Sequence, residues 1–269
     1  MDVKGRMWLI DDGKRAGIDG IPDGAAKVVG LDLKSGTIIA KVIIRPPVLL
    51  SDSHLNDLRI DLTHGEKGMA YIADSSFGTS PALIVVDLAK GTSRRILAKS
   101  PSTQNESGYM AFLEGVPQVY DPKHPTFPVG GADGITLSKD NRRLYWTPLT
   151  GRRMYSIDTA LLANPKISDE DLAKEVVDEG DRPASDGLAT DGKNRIYFGA
   201  YEHQSIVRKN PNRQFELVVH DSRLTWPDAL FISGDYLYIT NGQWNRLAVF
   251  NEGHDLRQPP FLLFRVRIN

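Results

Sequence analysis

The chain of 269 residues contains no cysteine, which excludes disulfide bridges and thiolate metal sites. It also lacks an excess of charge of either sign. With 33 basic and 34 acidic residues the net charge is −1, so neither nucleic acid nor a membrane surface is an expected partner. No apolar run approaches the roughly 20 residues of a membrane-spanning helix. A Gly-x-Ser-x-Gly nucleophile elbow and a Walker loop are both absent, and Gly130-Gly131-Ala132-Asp133-Gly134 opens a strand rather than a helix. None of the six histidines is paired at i, i+4 on a helical pattern. Helical periodicity itself is nearly missing. The one candidate starts near Ser168, with Asp171 in capping-box spacing, and runs to about Lys174 inside an insert at 159–176. A parallel α/β sheet needs a crossover connection for every pair of strands, so that architecture is excluded.

What the sequence does contain is a short phrase repeated four times: Asn56-Asp57-Leu58-Arg59, Ala132-Asp133-Gly134-Ile135, Ser185-Asp186-Gly187-Leu188 and Pro227-Asp228-Ala229-Leu230. Each copy opens a strand-like run. After a turn comes a second, aromatic-rich run: Met69-Ala70-Tyr71-Ile72-Ala73, Arg143-Leu144-Tyr145-Trp146, Arg195-Ile196-Tyr197-Phe198 and Tyr236-Leu237-Tyr238-Ile239. Lys139-Asp140-Asn141-Arg142 and Asp191-Gly192-Lys193-Asn194 read as the hairpin turns between such runs. A unit of this size cannot bury its apolar face alone, and four short strands repeated radially make a β-propeller.

The expected fold is therefore all-β, one propeller with four-stranded blades and repeats near 4–50, 55–100, 131–180, 184–222 and 226–269. Met7-Trp8-Leu9-Ile10-Asp11 matches a second strand, with no first strand before it. The expectation is that the opening strand lies outside this sequence or that the run 261–268 closes the ring in its place. Residues 100–129, with five prolines, read as a long loop over one face.

In a propeller the first strand of each blade lines the central channel, so the repeated phrase brings its acidic residues to one mouth. Asn56, Asp57, Asp133, Asp186 and Asp228 are the candidate binding groups. The loops after the second strands add Asp74, Phe77, Tyr201, Asn241 and Trp244, the three aromatics as apolar walls. Converging carboxylates repel one another, which is relieved by a cation, by protonation, or by backbone N–H donors. The third outcome is purely structural, since an Asp before a strand commonly caps its own turn. An all-oxygen set of Asn56, Asp133 and Asp186 suits Ca²⁺ or another divalent cation better than a soft metal. His54, two residues from Asn56, and His203, beside Glu202, are the candidate acid–base groups, set against surface or packing roles.

Several stretches together resemble the yellow / major royal jelly protein family, in its bacterial branch. They are Met7-Trp8-Leu9-Ile10-Asp11-Asp12-Gly13, Leu55-Asn56-Asp57-Leu58-Arg59-Ile60-Asp61, Gly131-Ala132-Asp133-Gly134-Ile135, Arg182-Pro183-Ala184-Ser185-Asp186-Gly187, Trp226-Pro227-Asp228 and the tail from Phe250-Asn251-Glu252-Gly253 to Pro259-Pro260-Phe261. The resemblance implies a six-bladed propeller, usually from a secreted precursor, of which this chain shows five units without the opening blade. It also implies a small-molecule ligand of amine or catechol type. A weaker similarity reaches the gluconolactonase / senescence-marker propellers. It implies a divalent cation at the mouth and lactonase-like hydrolase or isomerase chemistry, with Asn56 and Asp186 at matching positions and Asp133 where that family has Asn. The Glu of that metal set has no counterpart here.

Overall fold

Short β-branched and aromatic runs bounded by Gly, Asp and Asn pair antiparallel, each strand with the next along the chain. The computed structural model describes every residue except Gly17, Phe77, Gly78, Thr79, Tyr120 and Pro122. The first blade is β1 (Met7–Asp11), β2 (Lys27–Asp32) and β3 (Thr37–Ile43). The second is β4 (Leu55–Asp61), β5 (Met69–Asp74), β6 (Ala82–Asp87) and β7 (Thr92–Ile96). A two-stranded hairpin, β8 (Met110–Leu113) and β9 (Val116–Val119), follows. The third blade is β10 (Ala132–Leu137), β11 (Arg143–Pro148), β12 (Arg153–Asp158) and β13 (Val177–Asp181). The fourth is β14 (Leu188–Thr190), β15 (Ile196–Ala200), β16 (Ser205–Lys209) and β17 (Phe215–His220). The last is β18 (Pro227–Ser233), β19 (Tyr236–Asn241) and β20 (Leu263–Arg267).

These are the five blades of a β-propeller, as expected, though only the middle three have four strands. The segment near the C-terminus does not close the first blade: β20 pairs with β19 as the third strand of the last one. Residues 100–129 are not wholly loop, because Met110 to Val119 folds back on itself as the β8–β9 hairpin. The capping box is present: the Ser168 hydroxyl accepts from Asp171 N at 3.1 Å and starts helix α2 (Asp169–Lys174), after a shorter α1 (Thr159–Ala163) in the same insert.

Apolar side chains pack between neighbouring blades. Tyr71, Leu83 and Val85 of the second blade share a core with Ile135, Leu144 and Trp146 of the third, closed by Leu162 and Leu172 of the helices. Ala189, Tyr197 and Ile206 pack with Leu230, Leu237 and Ile239 of the last blade. A recurring Asp-centred turn fixes the entry to three of the second strands. Asp61 accepts from Thr63 N and the Tyr71 hydroxyl; Asp191 accepts from Lys193 N, Arg195 N and the Tyr197 hydroxyl. Asp2 does the same with Lys4 N, Arg6 N and Trp8 Nε1. Trp8 in β1 thus stands where Tyr71 and Tyr197 stand, and β1 is a second-type strand.

Candidate functional site

Three of the four repeated phrases lie in a bulge of the inner strand, and the fourth lies directly before its inner strand. Leu55 pairs with Asp74 and Leu58 with Ile72, so Asn56 and Asp57 together oppose one residue, Ala73. Ala132 pairs with Pro148 and Ile135 with Trp146, leaving Asp133 and Gly134. Pro227 pairs with Asn241 and Leu230 with Ile239, leaving Asp228 and Ala229. In the fourth blade Leu188 pairs with Phe198, which puts Asp186 two residues before that pair. The equivalent positions are therefore Asn56, Asp133, Asp186 and Asp228. Aligning the copies on their Asp misplaces the first by one residue, and a one-residue slip turns a side chain to the other face.

The cavity bears this out. A cavity of about 70 Å³ is lined by Asn56, Asp133, Asp186 and Asp228, with His54, Pro128, Leu149 and Trp244. Asp57 is not among the lining residues. Its Oδ2 accepts from Ile135 N of the next blade at 3.4 Å and lies 3.6 Å from Arg59 Nη2. The residues after Asp133 and Asp186 are glycines because inner strands touch backbone to backbone there. A Cβ on Gly134 would sit 2.1 Å from Asp186 O, and one on Gly187 would sit 2.0 Å from Asp228 O.

The carboxylates of the ring have neutral partners. The Asn56 amide donates to Asp133 Oδ1. Trp226 Nε1 donates to Asp186 Oδ2 at 2.6 Å. Trp244 is hydrogen-bonded to Asp228, and Gly242 lets them approach: a Cβ there would fall 2.9 Å from Asp228 Oδ2 and 3.0 Å from Trp244 Cδ1. Burial, then the charges of Asp57 and Asp228, holds the Asp133 carboxyl well above the ordinary carboxylate range. Burial, then Asp228 and Asp133, does the same to Asp186. Asp228 is pushed up to about 6, by burial first and by Asp57 second. His54, buried and facing Lys14, is held below the usual imidazole range despite Asp12 Oδ2 at 3.3 Å from its Nδ1.

Supporting residues hold the phrase in place. Arg182, only 4 % exposed, donates to Pro148 O at 2.6 Å, Pro183 O at 2.9 Å and Ser185 Oγ at 3.2 Å, fixing the chain that enters Asp186. Trp226 stacks on Tyr201 with ring centroids 4.5 Å apart and planes 5° apart. Tyr201 shares a hydroxyl–hydroxyl bond of 2.7 Å with Tyr109, and Phe127 packs against all three rings. Residues 127 and 128 thus tie the segment after the hairpin into the core and put Pro128 in the cavity wall.

Asp74 and Asn241 are placed as struts rather than binding groups. Asp74 is fully buried, accepts from His54 N at 2.8 Å and pairs with Arg95 at 2.6 Å. Asn241 accepts from Trp226 N at 2.7 Å and donates to Arg223 O. Tyr201 lies one layer behind the cavity wall. His203 lies in a separate shallow groove with Glu114, Glu202 and His220. Phe77 falls outside the described residues. The roles of Pro128, Leu149, Gly242 and Arg182 escape sequence reasoning; Trp226, directly before Pro227-Asp228, is the one with a local signal.

Asp186 already accepts from an indole, Asn56 points its N–H at Asp133, and among the described residues no three His, Asp or Glu side chains are grouped closely enough to hold a metal.

The sequence profile of the family described as Major royal jelly protein matches residues 1–266. No curated protein matches significantly. Among solved structures, a chain of a nidogen/laminin complex superposes with a TM-score of 0.54 at 14% identity, over 88% of this chain and 70% of that one. A gluconolactonase from Xanthomonas campestris gives 0.52 at 12% identity, over 90% and 67%. A calcium-binding regucalcin from Agrobacterium tumefaciens gives 0.48 at 13% identity, over 92% and 74%. At these identities the likeness is one of fold.

Proposed function

The chain belongs to the major royal jelly protein family, and from that premise we propose that it is a small-molecule binding propeller whose mouth holds the cationic head of an amine. One observation carries this reading. Asp133, Asp186 and Asp228 converge on one cavity, and their hydrogen-bond partners there, Asn56, Trp226 and Trp244, are all neutral. Buried carboxylates without a cation remain partly protonated, and an ammonium group satisfies charge and hydrogen bonds together. The cavity of about 70 Å³ is far below the roughly 300–1,000 Å³ of a pocket that encloses a drug-sized ligand. It takes a head group, leaving the rest of the molecule at the mouth beside Trp244. A catechol ring on the amine is compatible with that placement, while a catechol without the amine lacks the group the ring is built to receive.

The alternative, a metal-dependent lactonase-like hydrolase or isomerase, has less support because Asp186 already accepts from an indole and Asn56 points its N–H at Asp133. The test compares a phenethylamine with the corresponding amine-free catechol by calorimetry and tryptophan fluorescence. Saturable binding of the amine is expected at pH 7.5, weakened at pH 5 as the ring takes up protons, and reduced at least about tenfold by Asp186→Asn. Equal binding of the amine-free catechol, or an unaffected Asp186→Asn variant, refutes the reading. A rise in melting temperature with millimolar calcium alone would favour the metal instead.

A further inference from the structure

Two separate cavities lie against the inner strands. One is the cavity already described. The other, of about 380 Å³, is lined among others by Leu58, Arg59, Thr136, Thr190 and Phe231. The two linings share no residue. Between them lies Arg59. It belongs to the inner strand of the second blade, yet its Nη2 donates at 2.7 Å to Leu188 O on the inner strand of the fourth, passing the third blade between them. Its Nη1 returns to Leu58 O at 2.8 Å, and the same guanidinium lies 3.6 Å from Asp57. Along β4, Arg59 pairs with Tyr71 while Asn56 lies in the bulge opposite Ala73, a drop of about 7 Å at strand rise.

We propose that Arg59 is the floor of the mouth site: it bars the channel beneath Asn56, Asp133, Asp186 and Asp228 and, through its pairing with Asp57, sets how much negative charge that site presents to a cation. The geometry supplies both halves. A guanidinium held at two carbonyls two blades apart is a fixed bar, because its planar fork loses little freedom on making each bond. Asp57 is the residue that would otherwise add a fourth negative charge next to the ring. It sits in the same bulge as Asn56 and reaches the backbone of Ile135, two residues after Asp133. Its charge raises Asp133 and Asp228 second only to burial and contributes at Asp186 as well. Arg59 is its ion-pair partner. Both side chains of that pair are 26% exposed, so solvent moderates the effect without abolishing it. The other groups facing the ring are Ser75 near Asp133, the indoles of Trp226 and Trp244, and His54, itself backed by Asp12 and Lys14.

Arg59 is thus a positioning residue for the cation-binding reading of the site, on which the second half of the proposal rests. The experiment reads the ring without any ligand. Thermal melting across pH 4 to 8 gives the midpoint of the stability change that disappears in Asp228→Asn. In Arg59→Met that midpoint should move up by about half a pH unit, because Asp57 is left uncompensated. Arg59→Lys, which keeps the charge, should stay within about 0.2 unit of the wild type. Asp57→Asn should move the midpoint down, and adding Arg59→Met to it should cause no further rise. An unmoved midpoint in both Arg59→Met and Asp57→Asn overturns the proposal. Should Arg59→Met fail to fold, Arg59→Gln takes its place and is read the same way: a raised midpoint supports the proposal and an unchanged one refutes it. A midpoint that shifts as expected in a protein that binds no amine would sink the ligand reading and leave the floor standing.

Discussion

Replacing Asp228 by Asn should stabilise this protein at neutral pH and do almost nothing in acid. Asp228 rises from the ordinary 3.8 to about 6 in the fold, chiefly through burial. A raised carboxyl means that the folded state prefers the protonated form. Below pH 3.8 the group is neutral in both folded and unfolded chains and favours neither. Between 3.8 and about 6 the unfolded chain ionises freely while the fold resists, so stability falls with rising pH. Above about 6 the whole penalty is present. At about 1.4 kcal/mol per pH unit, the rise corresponds to about 3 kcal/mol. Asn keeps an oxygen for the Trp244 indole and removes the charge. It also lowers the repulsion felt by Asp186 and Asp133, both of which are raised by Asp228.

For a chain of this size about 3 kcal/mol is roughly 6 °C in melting temperature. Melting wild type and Asp228→Asn side by side from pH 4 to pH 8 should therefore show curves that nearly coincide at the acid end and separate by about 6 °C above pH 7. The variant should be the more stable. A gap that is constant with pH would mean that no carboxyl titrates at this position. A variant less stable than the wild type at pH 8 would mean that the hydrogen bonds to the ionised form outweigh burial, and the argument for a cation-seeking ring would fall with it.

Gly187→Ala should cost at least about 2 kcal/mol in chemical denaturation, because its Cβ would sit 2.0 Å from Asp228 O and force two inner strands apart. Asp74→Ala should cost about 3–5 kcal/mol, since it strips Arg95 of its carboxylate and leaves His54 N without its acceptor. Trp226→Phe keeps the stacking on Tyr201 but removes the donor to Asp186. Its loss of about 1–3 kcal/mol should be greater at pH 8 than at pH 4, where a protonated Asp186 needs that donor less.

The propeller was legible because its cause is local and repeated. An Asp opening a first strand, a short turn and a second strand with an aromatic recur four times, and one such unit cannot bury itself. The match of Met7-Trp8-Leu9-Ile10-Asp11 to a second strand holds in the structure, where Asp2 bonds Trp8 as Asp61 bonds Tyr71 and Asp191 bonds Tyr197. Hairpin β8–β9 was not legible. Pro117 sits inside β9, Met110, Phe112, Val116 and Val119 are apolar yet exposed, and only Ala111 and Leu113 of β8 turn to the core, too short an alternation to announce a strand.

The site was legible in its residue types and misread in its register, for a physical reason. An Asp next to an Asn looks like the fourth Asp of a set, and nothing local shows that a bulge places Asn56, not Asp57, at the cavity. Only the cross-strand pairing of Leu55 and Leu58 reveals it. The correction changes the chemistry. With Asp57 in the ring there would be four carboxylates around one cavity, a set that calls for a doubly charged ion. With Asn56 there the ring has three, one of them holding the amide, and the displaced Asp57 faces Arg59 and the neighbouring blade. A neutral donor at the fourth position, an arginine below and carboxyls raised toward neutral pH describe a site poised for a single positive charge. The same register also brings Asn56, a member of the proposed cation set, to the cavity beside Asp133 and Asp186, so the amine and calcium titrations decide between a single positive charge and a divalent ion.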